Sequence, residues 1–164
     1  MSEQPRWLTA DERRAWLALV AMCESLPAAL DTQLKRDAGV NNFEYMVLAG
    51  ASDAPDQAIL MSELAAFASG SLSRLSHAVT RLEKRGIVAR RPLPGDGRQT
   101  LVALTDAGRA LMARVAPDHV AEVRRLVFDG IAAEDVDALA RIAGSIVRRS
   151  NPALTERFAP EQPA

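Results

Sequence analysis

Apolar residues recur at spacings of three and four along much of the chain, and the breaks in that rhythm divide it into elements. The first series, Trp16, Leu19, Val20, Cys23, Leu26, Leu30 and Leu34, traces the buried stripe of a long helix. Thr9 and Glu12 have capping-box spacing, so this helix is predicted to begin at Thr9 and run to about Arg36, bent or interrupted near Pro27, with Gly39 as its stop. Asn41 and Glu44 repeat the capping signal and open a second helix through FEYMVLAGAS, which ends in the turn SDAPDQ. Residues 59–61 are too few for more than a strand fragment, 62–68 form a short third helix, and ASGS is a tight turn. Ser71 then caps a fourth helix that Gly86 terminates. Two strands follow at 87–91 and 100–104, separated by PLPGDGRQ, whose prolines and glycines make a turn. Thr105 caps a fifth helix to about Phe128, kinked at Pro117. A sixth carries Val136, Leu139, Ile142 and Ile146 along one side and stops at Asn151 and Pro152, with a mobile tail expected at 150–164.

The fourth helix is the most informative. At 100° per residue, Leu72, Leu75, Val79 and Leu82 share one narrow face, while Ser73, Arg74, His77, Thr80, Arg81 and Lys84 share the opposite one. One face packs and the other is free to touch a polar partner. Net charge over all 164 residues is −1, yet between Ser71 and Gln99 seven basic residues (Arg74, Arg81, Lys84, Arg85, Arg90, Arg91, Arg98) stand against Glu83 and Asp96. Positive charge is therefore concentrated on the fourth helix and the hairpin after it, the outline of a winged DNA-binding unit. The stripes of helices one, five and six lie outside that unit, and a partner subunit is the economical place to bury them, so a homodimer is inferred.

Composition narrows the alternatives. Hydrophobic content of 48% with 25% charged residues is that of an ordinary globular protein. No apolar run approaches the roughly 18 residues of a membrane span. The start, MSEQPRWLTADERR, lacks the basic and then apolar order of a secretory signal, so a cytoplasmic location is expected. Cys23 is the only cysteine, which excludes an intrachain disulfide and any cysteine-based zinc site; its place in the first stripe reads as a small buried hydrophobe. No metal or cofactor site is expected. His77 and His119 lie on separate helices without an acidic or cysteine partner at metal spacing, and there is no phosphate loop or nucleophile elbow, so an enzyme is not expected. His119 reads as a helix-surface residue.

The order of helix, helix-turn-helix, basic hairpin and two long helices resembles the MarR family of dimeric winged helix-turn-helix transcriptional regulators. The resemblance covers roughly residues 9–149 and is most specific in SRLSHAVTRLEKRGIVARR followed by GDGRQTLVALTDAGR. The family pattern of Asp-x-Arg in the wing, then a strand and Leu-Thr-x-x-Gly opening a helix, is met by Asp96, Arg98, Leu104, Thr105 and Gly108. Two positions depart from it: Gly70 stands where an apolar residue usually precedes the capping Ser, and Leu72 where a polar one is usual. Leu72 and Phe67 are expected to fill the space. The fold class is thus mainly α with a small β-hairpin: a winged unit at 38–105 and helical dimerisation segments at 9–37 and 106–149.

On this reading double-stranded DNA is the partner. Arg74, His77 and Arg81 are candidates for base edges in the major groove, while Ser71, Ser73, Ser76 and Thr80 suit phosphates or water-bridged contacts, and Lys84 shares their face. Ser76 leans toward the packed side of the wheel, so an internal hydrogen bond is equally open to it. Arg98 would enter the minor groove, with Asp96 orienting it or capping the turn. The resemblance further implies repression from an inverted-repeat operator and release by a small aromatic or anionic effector lodged between dimer helices and winged unit, with Trp16, Tyr45 and Met46 as candidate lining. A dimeric winged module that binds a protein instead of DNA is the competing reading.

Overall fold

The computed structural model describes residues 5–154. Its elements are α1 (Ala10–Ala38), α2 (Asn42–Asp53), β1 (Ala58–Leu60), α3 (Met61–Phe67), α4 (Leu72–Lys84), β2 (Val88–Leu93), β3 (Asp96–Leu104), α5 (Asp106–Leu126) and α6 (Val136–Ser150), with single 3₁₀ turns between some of them. Of the tail expected at 150–164, residues 155–164 lie outside the described residues.

Local chemistry accounts for most boundaries. Thr9 and Glu12 form a reciprocal capping box at the head of α1, as do Asn41 and Glu44 at the head of α2. Gly39 ends α1 in the left-handed conformation (φ 62°), where a side chain would be strained. Ser71 and Thr105 each accept an N–H of the first turn of α4 and α5. Neither Pro27 nor Pro117 ends its helix, so of the bend or interruption expected at Pro27 the interruption does not occur. Pro27 removes the donor to the Cys23 carbonyl on an exposed turn, where water can replace it.

The sheet holds three strands in the order β1-β3-β2, all antiparallel. The hairpin is longer than 87–91 and 100–104 suggested, and the short 58–60 segment pairs with β3 through Ala58 with Ala103 and Leu60 with Leu101. The core lies where α2, α3 and α4 pack on this sheet and on the end of α1: Leu34, Leu48, Leu64, Leu75, Val79, Leu82 and Val102 are fully buried. Leu75, Val79 and Leu82 form the packed face of α4 that the wheel requires. Leu72 does not join them; it sits at the first turn of α4 and is 57% exposed, on an open cleft it shares with Met61 and Ser62 of α3. Ser76 is exposed as well.

The long helices behave differently. α1 packs on α5 and α2, but its apolar stripe is only partly covered: Trp16 is exposed, Cys23 is exposed rather than buried, Leu19, Val20, Leu26 and Leu30 are half-buried, and Leu34 alone of the stripe is fully covered. By length and composition α1 is also apolar enough to cross a membrane, although its apolar residues do not form a continuous run. On α6, Ile142 and Ile146 are 52% and 41% exposed.

His119 corrects the expectation of a surface residue. It is buried between α5, α1 and α2, with Nδ1 3.0 Å from Gln33 Oε1 and its ring 4.1 Å from that of Tyr45. Gln33 Nε2 donates to Asp37 at 2.8 Å, which turns Oε1 toward the histidine and places the imidazole proton on Nδ1. Burial holds the His119 pKa below its ordinary value, with Glu122 pulling weakly the other way. A depressed histidine costs nothing while both states are neutral. Below about pH 6.5 the unfolded chain takes the proton more readily, so stability falls with pH until the folded value is passed. Melting curves at pH 7.5 and 5.5 are expected to show a smaller acid loss for His119→Gln than for the parent; an equal loss would remove His119 from the pH response.

Candidate nucleic-acid interface

The exposed side of α4 and the tip of the β2–β3 hairpin form the basic surface, and the structure divides its cations into three groups. Arg85 donates to the carbonyls of Gly39 (2.9 Å) and Ala38 (3.3 Å), tying the end of α4 to the end of α1. Arg90 donates to Glu83 (2.5 Å), to the Ser76 carbonyl (3.0 Å) and to the Thr80 hydroxyl (3.0 Å), which pins β2 to the flank of α4. Both act as scaffold. Lys84, Arg91 and Arg98 are exposed, and among the described residues no carboxylate pairs with them.

Arg74 and Arg81, the arginines expected to meet bases, are held from α2. The Arg74 guanidinium lies over the Phe43 ring, 4.1 Å from its centroid. Arg81 Nε donates to Glu44 Oε1 at 2.8 Å; Glu44 is almost fully buried and its other oxygen accepts the Asn41 N–H. This Phe43 ring also explains Gly70. A Cβ at position 70 would stand 2.6 and 2.7 Å from two ring carbons, so Phe43, and not Leu72 with Phe67, occupies the space that the family's apolar residue would take.

Among the remaining residues singled out from sequence, Ser71 is the cap of α4, its hydroxyl accepting the Arg74 N–H at 3.2 Å. Ser73 and His77 are exposed on the same side as Arg74. Thr80 is half-buried; its hydroxyl donates to the Ser76 carbonyl (2.8 Å) and accepts from Arg90, which leaves it little capacity for another partner. At the wing tip Asp96 Oδ1 accepts the Arg98 backbone N–H (3.1 Å) and Oδ2 accepts from Gln99 (3.0 Å). Those two bonds hold its carboxyl below the usual range and make it the cap of the turn. The Arg98 guanidinium stays free beyond it. The foot of the wing is locked by Thr105, which accepts the Gly108 N–H at 3.1 Å and donates to the Gly86 carbonyl at 2.6 Å.

Trp16, Tyr45 and Met46 do not come together. Met46 lines a cleft of about 900 Å³ between α1 and α4, with Asp31, Lys35, Arg74, His77 and Arg81 on its walls. Tyr45 opens on a separate cleft of about 480 Å³ beside Arg109 and Met112, and Trp16 lines neither. In the first cleft Asp31 pairs with Lys35 (2.6 Å) and accepts the Asn42 N–H (2.9 Å), and both contacts lower its pKa. Sequence reasoning missed Phe43 and Glu44, whose connection to the recognition helix runs through space and leaves no local pattern.

Comparison with known proteins agrees with this geometry. The MarR family model matches residues 40–100. Sco3205, a MarR family transcriptional regulator from Streptomyces coelicolor solved in complex with DNA, is 40% identical, with a TM-score of 0.87 over 92% of this chain and 94% of that one. AbsC, a MarR family regulator from the same organism, is 34% identical, with a TM-score of 0.85 over 90% of this chain and 99% of that one. The regulator MhqR of Bacillus subtilis is 30% identical over 90 residues, which span 54% of this chain and 60% of MhqR. A winged helix built on α3, α4 and a capped Asp-x-Arg wing, matched over nearly the full length of two such regulators, means that the chain belongs to the MarR family.

Proposed function

We propose that this protein is a sequence-specific, DNA-binding transcriptional regulator that acts in the cytoplasm as a homodimer and represses from an inverted-repeat operator. The observation that carries the reading is the exposed face of α4 with Arg74, His77, Arg81 and Lys84, set beside a wing whose free Arg98 is presented by an Asp96-capped turn. α4 enters the major groove with Arg74, His77 and Arg81 toward base edges. Ser71, Ser73 and Lys84 face phosphates, and Ser76 and Thr80 serve mainly to fix the wing. Arg98 enters the adjacent minor groove. The winged unit spans 38–105, and segments 9–37 and 106–149 form the dimer. The exposed apolar residues of α1 and α6 support that assignment. The likeness to a regulator solved with DNA favours nucleic acid over a protein partner, and the same likeness favours a regulator over an enzyme.

A small anionic or aromatic effector fits the 900 Å³ cleft between α1 and α4, where Lys35 and two arginines supply positive charge. It releases DNA by binding one spacing of the two recognition helices better than the other. Arg98→Ala tests the wing directly. In a mobility titration at physiological salt it is expected to weaken operator binding at least severalfold with the dimer still folded; unchanged affinity would contradict the minor-groove assignment.

A further inference from the structure

Two neighbouring residues in the first turn of α2 reach across to the two arginines of α4 that stand two helical turns apart on its exposed face. The Arg74 guanidinium carbon lies over the Phe43 ring, 4.1 Å from its centroid, and Glu44 takes a hydrogen bond from Arg81 Nε at 2.8 Å. We infer that Phe43 and Glu44 are positioning residues for DNA readout, holding Arg74 and Arg81 in the poses from which they meet guanine edges, so that sequence discrimination depends on them.

The chemistry of each contact favours this role. A cation–π contact with the Phe43 ring fixes the Arg74 guanidinium without taking up a hydrogen-bond acceptor, so N–H donors remain for a guanine O6/N7 pair. The Glu44 bond occupies Nε of Arg81, and among the described residues the terminal nitrogens are not taken up by a carboxylate. Glu44 cannot release Arg81 cheaply, because its buried carboxylate would lose its cationic partner. Arg81 therefore stays paired when DNA arrives and offers only its outer edge. Each arginine gives up side-chain freedom before binding, which lowers the ordering cost at the interface. Gly70 is part of the same device: any larger residue there would drive the Phe43 ring from beneath Arg74. This inference rests on the DNA-binding reading above.

The test uses the full chain. Duplexes are selected from a random library by the parent protein, and the affinity for the selected site is divided by that for a scrambled duplex of equal length. Phe43→Leu keeps apolar bulk but removes the ring face, and is expected to lower this ratio about five- to a hundredfold, the range one bidentate base contact is worth. Affinity for the scrambled duplex and its salt dependence, which report phosphate contacts, are expected to stay within about twofold. Phe43→Tyr is expected to restore the ratio, and Glu44→Gln to lower it. Gly70→Ala, which alters neither arginine nor the ring itself, provides a second route if Phe43→Leu melts early; it should reproduce the loss. A parent protein that selects no sequence would overturn both this inference and the DNA-binding reading. A selecting parent with an undiminished ratio in Phe43→Leu and Gly70→Ala, or with specific and non-specific affinity falling together, would overturn this inference alone.

Discussion

Introducing charge on the outward face of α6, as Ile142→Asp with Ile146→Asp, is expected to leave a folded monomer that has lost about 10²–10⁴-fold in operator affinity. Both side chains are largely exposed in the single chain, so the substitution costs the isolated fold little. In the proposed dimer the same positions would be buried against a partner, where an unpaired carboxylate costs several kcal/mol by the order of magnitude of polar-group transfer. The loss in DNA affinity then comes from geometry. One half-site bound by one subunit no longer places the second recognition helix near its own half-site. Light scattering after gel filtration reads the mass, and a mobility titration reads the affinity. A variant that remained dimeric with unaltered binding would take α6 out of the subunit interface and leave α1 to form it.

Gly108→Ala is expected to have the largest effect on the fold itself. A Cβ at this position would stand 2.2 Å from the Ile87 carbonyl oxygen and 3.3 Å from its carbon. The obstacle is backbone that is already engaged, since the Thr105 N–H donates to that carbonyl at 3.1 Å. The first turn of α5 and the start of β2 cannot both stay where they are. A forced shift of this kind costs about 3 kcal/mol, or a fall of about 6–12 °C in melting temperature for a chain of this size. The family's Leu-Thr-x-x-Gly pattern thus has a physical reason: Thr caps the helix and Gly lets it approach the strand. A melting temperature within about 2 °C of the parent, against that scale, would show that the contact relaxes freely.

The elements legible in the sequence were those whose signals are local. The capping boxes at Thr9 and Asn41, the Ser71 and Thr105 caps and the Asp96 turn each join residues two or three positions apart, and all of them form as their spacing requires. The division of labour among the arginines was not legible. Glu44 lies 37 residues before Arg81, and the carbonyls that hold Arg85 lie 46 and 47 residues before it, so local charge counts treated scaffold and interface cations alike. His119 and Gln33 are 86 positions apart, which hid a buried hydrogen bond behind an apparently polar helix position. β1 was legible only as a strand fragment, because what makes it a strand is its pairing with the distant β3. Leu72 shows the limit of a helical wheel: it gives the direction of a side chain, not whether any neighbour extends far enough to cover it. The exposed Cys23 stripe failed for the opposite reason. Its periodicity is that of a packed face, and the single chain does not contain what packs on it.

We propose that two copies of this chain read one inverted-repeat duplex through α4 and the wing. The most direct test is to recover the duplexes that the purified protein selects from genomic fragments, and to measure on the best of them the protected bases and the number of chains bound. Two chains per duplex are expected, on an inverted repeat whose half-site centres lie about one helical turn, 34–36 Å, apart. No enrichment of any sequence, or one chain bound to a single unrepeated site, would contradict the account.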